Sequence, residues 1–332
     1  MSRNRKFKEK MLAPVEWVGI GLALAVVPWL SRRALLGLCD LLSRIFFFFD
    51  RRGKRRALEN LRILRGERRD LLDIFGFDPD RAKFAPTPRE RLVLLRSYRN
   101  MTRTVGYILW TMRKPRERCQ ESGSLSGSAV RFLREHRPVV TVSGHLGCWE
   151  QPSQLAFLEG HRMMIVSKPI GTARMTKLLF GARRAIGQEI VPVEGALKAL
   201  LQGLREGKSL GLLVDQSVAP KRGGVWVRFC GVPMSVSAGP ALFAAKGKVP
   251  IAVAWSRPLA GGRCRCEVVD VISAAEARDL WATTQRCARD LERLVRRHPS
   301  SWVLNYNYFS NRPKPEDLQA LAQREAGSGA RS

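Results

Sequence analysis

Within the stretch VVTVSGHLGCWEQ, residues 139–151, two side chains have the types and spacing for proton transfer: His145, and Glu150 five positions later. The histidine follows an apolar, β-branched run, and in an open α/β sheet ligands gather where strands end and pass into helices. Five residues of regular helix turn through about 500°, leaving two side chains about 140° apart. His145 and Glu150 therefore meet only if the histidine sits in the turn and the glutamate in the first turns of the next helix. Gly144 and Gly147 permit such a turn. A carboxylate bound to one imidazole nitrogen fixes the tautomer and raises the basicity of the other. That arrangement takes a proton from a hydroxyl attacking an acyl group. The same spacing also suits a histidine that only caps or packs locally, so its surroundings must decide. Cys148 lies three residues from His145 and invites a Cys–His hydrolase, but residues this close in one turn seldom have the geometry, and no third member is evident.

The elements that would present these residues are legible in the apolar pattern. Short runs at Val139–Ser143, Met163–Ser167, Glu189–Val191, Leu210–Val214, Val225–Phe229, Pro250–Trp255 and Arg265–Val271 predict strands. Helical patterns fall between them, near 151–159, 172–186, 195–206, 237–246 and 274–297. The alternation predicts an α/β fold with a mixed or mostly parallel sheet flanked by helices. Upstream, Thr87-Pro88-Arg89-Glu90 is a helix start, with Thr as cap, Pro in the first turn and Glu three after the cap. The expected organisation is a basic N-terminus with membrane-anchoring or interfacial helices at 1–56, a helical subdomain at 57–120, and a flexible connector ESGSLSGS at 121–128. An α/β core at 129–313 and a tail at 314–332 complete it, with the last ten or so residues disordered.

Charge narrows the partners. The chain has 332 residues, and 58 Lys and Arg against 29 Asp and Glu give it a formal charge of +29. Such a surface favours polyanions: anionic membrane, phosphorylated ligands, nucleic acid or an acidic protein. No helix-turn-helix, zinc pattern or aromatic-rich motif accompanies the charge, so nucleic acid is not expected. Near the N-terminus, WVGIGLALAVVPWL at 17–30 lacks a convincing signal-peptide cleavage site and is short for a spanning helix unless it begins near Met11. ALLGLCDLLSRIFFFF follows, and then the basic RRGKRRALENLRILRGERR. An apolar stripe beside a polybasic flank is the pattern of a helix lying on or in an anionic leaflet. The seven cysteines show no CxxC pair or zinc spacing, and only four histidines are present. The cysteines read as reduced, and neither metal nor cofactor is expected.

HLGCWE at 145–150 resembles the H-x4-[DE] motif of the lysophospholipid acyltransferase superfamily, in the H-x-G-x-W-E form of the bacterial lipid A biosynthesis (lauroyl/myristoyl) acyltransferase family. Further blocks similar to the family's follow in order: FGARRAIG at 180–187, ALKALLQGLREGKSLGLLVDQ at 196–216, GGVWVRFCGVPMSVSAGPALFAAKGKVPIAV at 223–253 and Pro-x-x-Trp within HPSSWVLNYNYFSN. ENL at 59–61 also resembles the family. Where many lipid A enzymes carry a second tryptophan and a histidine in the closing block, this chain has Leu304 and Tyr306.

The resemblance implies a glycerolipid-acyltransferase-like fold and transfer of an acyl chain from an acyl thioester, on acyl carrier protein or CoA, to a hydroxyl of a lipid A precursor or related lipid. His145 would be general base and Glu150 its orienting partner. Arg183, with Arg184, would stabilise the oxyanion or bind an acceptor phosphate, or lie on a solvated helix face. Lys168 is a further phosphate candidate. Asp215 and Gln216 would shape the acceptor pocket or cap a turn, and Gly239 opens a helix whose N-terminus can hold an anion. The implied location is the cytoplasmic face of the bacterial inner membrane. A different glycolipid, lysophospholipid or aminolipid acceptor stays open, as does a non-enzymatic protein that binds anionic membrane or nucleic acid.

Overall fold

The computed structural model describes residue 19 and residues 21–67, 86–169 and 172–329. Its first helices begin at side-chain caps. Ser31 accepts the Ala34 N–H at 3.2 Å and opens α1 (Arg32–Phe49), and Asp50 accepts the Gly53 N–H at 2.7 Å and opens α2 (Arg51–Leu64). The capping box expected at Thr87 is present: Thr87 accepts the Glu90 N–H at 3.2 Å, Glu90 accepts the Thr87 N–H at 2.8 Å, and α3 runs over Pro88–Thr111. Such a cap contributes about 1 kcal/mol. Helix α1 packs Leu35 and Cys39 in one cluster with Tyr107 and Ile108 of α3, and Arg103 holds Asp40 through two 2.9 Å hydrogen bonds.

The chain then alternates: α4 (Pro115–Ser122), β1 (Gly123–Leu125), α5 (Gly127–Glu135), β2 (Val140–Ser143), α6 (Gln151–Leu158), β3 (Met163–Val166), α7 (Ala173–Ala185), β4 (Gln188–Val191), α8 (Ala196–Arg205) and β5 (Ser209–Leu213). After the hairpin of β6 (Gly224–Phe229) and β7 (Val232–Ser237) come α9 (Gly239–Gly247), β8 (Ile251–Pro258), β9 (Cys264–Ile272), α10 (Leu280–Arg297) and α11 (Pro315–Gly329). Seven strands form one sheet in the order β1-β9-β8-β2-β5-β3-β4, and β6–β7 stands apart as a two-stranded ribbon. The sheet is parallel from β8 to β4, β9 runs antiparallel to β8, and β1 lies parallel to β9. Helices cover it, so the central strands are buried on both faces: Val140, Val142, Leu210, Ile251 and Val253 on one, Ala252 and Ala254 on the other. Double-sided burial is why these strands are continuous apolar runs.

Each of the seven expected strands is present. Two further strands were not expected. β1 lies inside the supposed connector and pairs Gly123–Leu125 with Cys264–Cys266, while β7 pairs all six of its residues with β6. The tail is a helix almost to its end, not a disordered stretch: Leu321 is buried, and Glu325 holds Arg228 of β6 at 2.8 Å.

The expected membrane-anchoring helix is not supported, since no helix among the described residues is long and apolar enough to cross a membrane. Residues 1–18 and 20, which carry the basic N-terminus and the start of the apolar run, lie outside the described residues, as do 68–85. Helix α1 buries only one face, through Leu35, Cys39 and Phe47, and leaves Leu41, Ile45, Phe46, Phe48 and Phe49 exposed.

Candidate active site

Strand register builds the site. β2 pairs with β5 from Val140↔Leu210 to Ser143↔Leu213. His145 lies two residues past the end of β2, and Asp215 two past the end of β5, so the register brings them side by side. β5 and β8 flank β2 on opposite sides, and the crevice outside the carboxyl ends of such central strands is where open α/β sheets bind ligands.

Asp215 is buried and accepts three hydrogen bonds. His145 Nδ1 donates to Oδ1 at 2.8 Å, the His145 amide to Oδ2 at 2.8 Å, and Trp302 Nε1 to Oδ2 at 2.9 Å. Burial alone would raise its pKa. The His145 ring, the Trp302 indole and the His145 amide outweigh it and hold the carboxyl below its ordinary range. An ionised carboxylate only accepts, so the proton of the neutral imidazole sits on Nδ1 and the Nε2 lone pair is left for other donors. Nε2 lies 3.3 Å from Gln216 Nε2, which donates to it. The His145 side chain is 21% exposed. Trp149 lies tilted to the imidazole at 5.5 Å, and the half-exposed Tyr306 ring lies parallel to it at 6.3 Å.

The turn that carries His145 is laced to the C-terminal block. Gly147 N–H donates to the Ser301 carbonyl at 2.9 Å, and Val303 N–H to the His145 carbonyl at 3.1 Å. Asn100 Nδ2 reaches the Gly147 and Ser301 carbonyls, each at 2.9 Å. Gly147 has φ +63°, and a Cβ there would run into the Ser256 carbonyl. At Gly144 a Cβ would press on the Asp215 carboxylate. Gly147 is therefore required by both its turn and its close approach, while at Gly144 a side chain would crowd Asp215.

Glu150 does not orient His145 in this structure. It is buried at the start of α6 and accepts from Arg183, with Nε donating at 3.0 Å and Nη2 at 2.6 Å. Arg183 Nη1 donates to Ser167 Oγ at 3.1 Å. Burial would lower the guanidinium's pKa, and Glu150 more than offsets it. Arg183 is thus committed to Glu150 and is not an open anion binder. Arg184 and Lys168 are exposed. Gly239 begins α9, but its N–H already donates to Ser237 Oγ at 3.1 Å. Of the residues singled out in the sequence, the fold gathers His145, Asp215 and Gln216 into one group and Glu150 with Arg183 into another.

Cys148 is buried. Burial disfavours the thiolate that a cysteine nucleophile needs. No group of residues suited to hold a metal occurs among the described residues.

Sequence reasoning missed Trp302 and Tyr306 as site residues, and Asn60 as their support. Asn60 Nδ2 donates to the Leu304 carbonyl at 2.7 Å and the Tyr306 carbonyl at 2.8 Å. The signal was in view: ENL and Pro-x-x-Trp were both recognisable blocks, but nothing in one chain's spacing shows that they touch. Beside Asp215 a recess runs between the β6–β7 ribbon and helices α9 and α10, lined mainly by apolar side chains such as Phe229, Met234, Ala241 and Leu291.

Residues 87–310 match the family described as bacterial lipid A biosynthesis acyltransferase. None of the curated proteins compared with the chain matches it.

Proposed function

Because the chain belongs to the bacterial lipid A biosynthesis acyltransferase family and is an acyltransferase, we propose that it moves a fatty acyl chain from an acyl thioester to a hydroxyl of a membrane lipid, with His145 as general base. His145 Nε2 takes the hydroxyl proton as the oxygen bonds to the thioester carbonyl. The tetrahedral intermediate then expels the thiolate, which recovers the proton from Nε2. Asp215 holds the ring in the tautomer that leaves Nε2 free and stabilises the imidazolium formed in passing. The observation that carries this reading is the buried Asp215 on Nδ1, which leaves the Nε2 lone pair to accept from a donor, as it does from Gln216.

The donor is acyl carrier protein or acyl-CoA, and the acceptor is a lipid A precursor. The basic charge and the exposed apolar face of α1 support work at an anionic leaflet, the cytoplasmic face of the inner membrane. An acceptor other than a lipid A precursor would use the same dyad, and Tyr306, where many lipid A enzymes carry a different residue, borders that choice.

The test is mass spectrometry of membrane lipids from cells lacking the protein and cells re-expressing wild type or His145→Ala. One lipid is expected to lose a single acyl group in the deletion and regain it only with wild type. Full restoration by His145→Ala would remove the general-base reading.

A further inference from the structure

Arg183 is held by Glu150, and helix α2 brings a second cation toward the open side of His145. Asn60 grips the Leu304 and Tyr306 carbonyls from this helix. Arg56 precedes it by four residues, so it stands on the same face, one turn toward the N-terminus. The Arg56 guanidinium lies close enough to the Tyr306 phenol to act on its titration: burial and the nearby Asp215 carboxylate raise the phenol's pKa, and Arg56 works against that rise. The Tyr306 ring in turn lies parallel to His145.

Arg56 is half-buried, and no hydrogen bond or ion pair engages it among the described residues. Its neighbours differ. Arg62 and Arg65 of the same region both pair with Glu90, at 3.4 Å each, and Arg103 with Asp40. The nearby carboxylate, Asp215, has its bonds from His145 and Trp302. A partly desolvated guanidinium without a counter-charge, at the rim of a reaction centre, is a site for an anionic group of the substrate.

We propose that Arg56, beside Tyr306, forms an anion subsite that binds a phosphate ester carried by one of the two substrates and so positions the reacting groups at His145. The inference rests on the acyl-transfer reading above. Both substrates can bear a phosphate: the donor on its pantetheine arm, the acceptor on its headgroup. The chemistry recognised is the same in either case, and the two sources separate by experiment.

Full-length protein would be assayed with two matched pairs of probes. The donor pair is dodecanoyl-phosphopantetheine and dodecanoyl-pantetheine. The acceptor pair is lipid extracted from the deletion strain's membranes, before and after enzymatic removal of phosphate monoesters. Each variant is scored by the ratio of kcat/KM for the phosphorylated and dephosphorylated members. That ratio is independent of the fraction of active protein, so a poorly folding variant does not blur it. Wild type is expected to favour the phosphorylated member of one pair by about 10- to 100-fold, the size of a hydrogen-bonded charge interaction. Arg56→Ala should bring that ratio close to one, Arg56→Lys should keep part of it, and the control Arg131→Ala, on the exposed side of α5, should leave it unchanged. A ratio near one for wild type in both pairs, or a full ratio retained by Arg56→Ala, overturns the subsite. Undiminished turnover in His145→Ala would instead overturn the acyl-transfer mechanism, so the two failures are distinct.

Discussion

Asp215 and Glu150 are both buried carboxylates near the same turn, and they do different jobs because of what faces them. Asp215 faces a half-open imidazole, an indole and an amide, none of them a permanent charge. Its negative charge is therefore available to an imidazolium when one forms. Glu150 faces a guanidinium that never deprotonates, through two parallel hydrogen bonds, with both side chains under one-tenth exposed. Its charge is spent on holding α6 against α7. An acid next to a titratable ring serves a reaction, whereas an acid next to a fixed cation serves a scaffold.

Substitutions at the two acids sharpen that contrast. The largest effect is expected for Asp215→Asn. An amide can donate to Nδ1 and leave the proton on Nε2, which disables the base, so kcat/KM should fall by about 10²–10⁴-fold. A melting temperature near wild type alongside that loss would fit the assignment; unchanged activity would break it.

Arg183→Ala should act on stability instead. It leaves Glu150 charged, buried and unpaired, and should cost about 3–5 kcal/mol in chemical denaturation. Much of that should return in the Arg183→Met/Glu150→Gln double variant, where no charge is buried. If Arg183→Ala denatures like wild type, the pair is not the static partner described here.

The smallest effect is expected for Trp302→Phe, which keeps the ring and removes one donor to Asp215, a change of about 1.5–3 kcal/mol. It also has a pH signature. A carboxyl whose folded pKa is depressed stabilises the fold above its unfolded value of about 4 and loses that contribution as pH falls through the folded value. Without the indole the folded value moves up, so acid unfolding of Trp302→Phe should begin at a higher pH than in wild type. Coincident acid limbs would show that the indole does little for Asp215.

The pattern of apolar runs made the central strands readable because burial on both faces leaves no polar alternation to confuse. β1 escaped notice since Gly-Ser-Leu sits among glycines and serines, and its pairing with Cys264–Cys266 is a property of the partner, not of its own propensity. β7 was hidden by Pro233 and two serines in its six residues, tolerable in a two-stranded ribbon where edges are free. The helix at Pro315–Gly329 looked like a tail because its last residues are Gly and Ser, while Leu321 and Glu325 anchor it. In the site, His145 was legible from its place after a strand. Its partner was not, because nearness along the chain favoured Glu150, whereas register across the sheet selects Asp215. Equal offsets of His145 and Asp215 beyond their strands were the available clue.

The lacing around His145 also bears on how the molecule comes into being. His145 and Asp215 are 70 residues apart, Asp215 and Trp302 are 87, Asn100 and Ser301 are 201, and Asn60 and Leu304 are 244. Contacts of such separation close large loops and form late in folding. During synthesis, β2 and β5 can pair before residue 302 exists, but the indole that steadies Asp215 and the Ser301–Val303 segment that fixes the turn are made only after every strand of the sheet. The base is therefore assembled after the sheet, and its reactivity is coupled to contacts made long after its own strand.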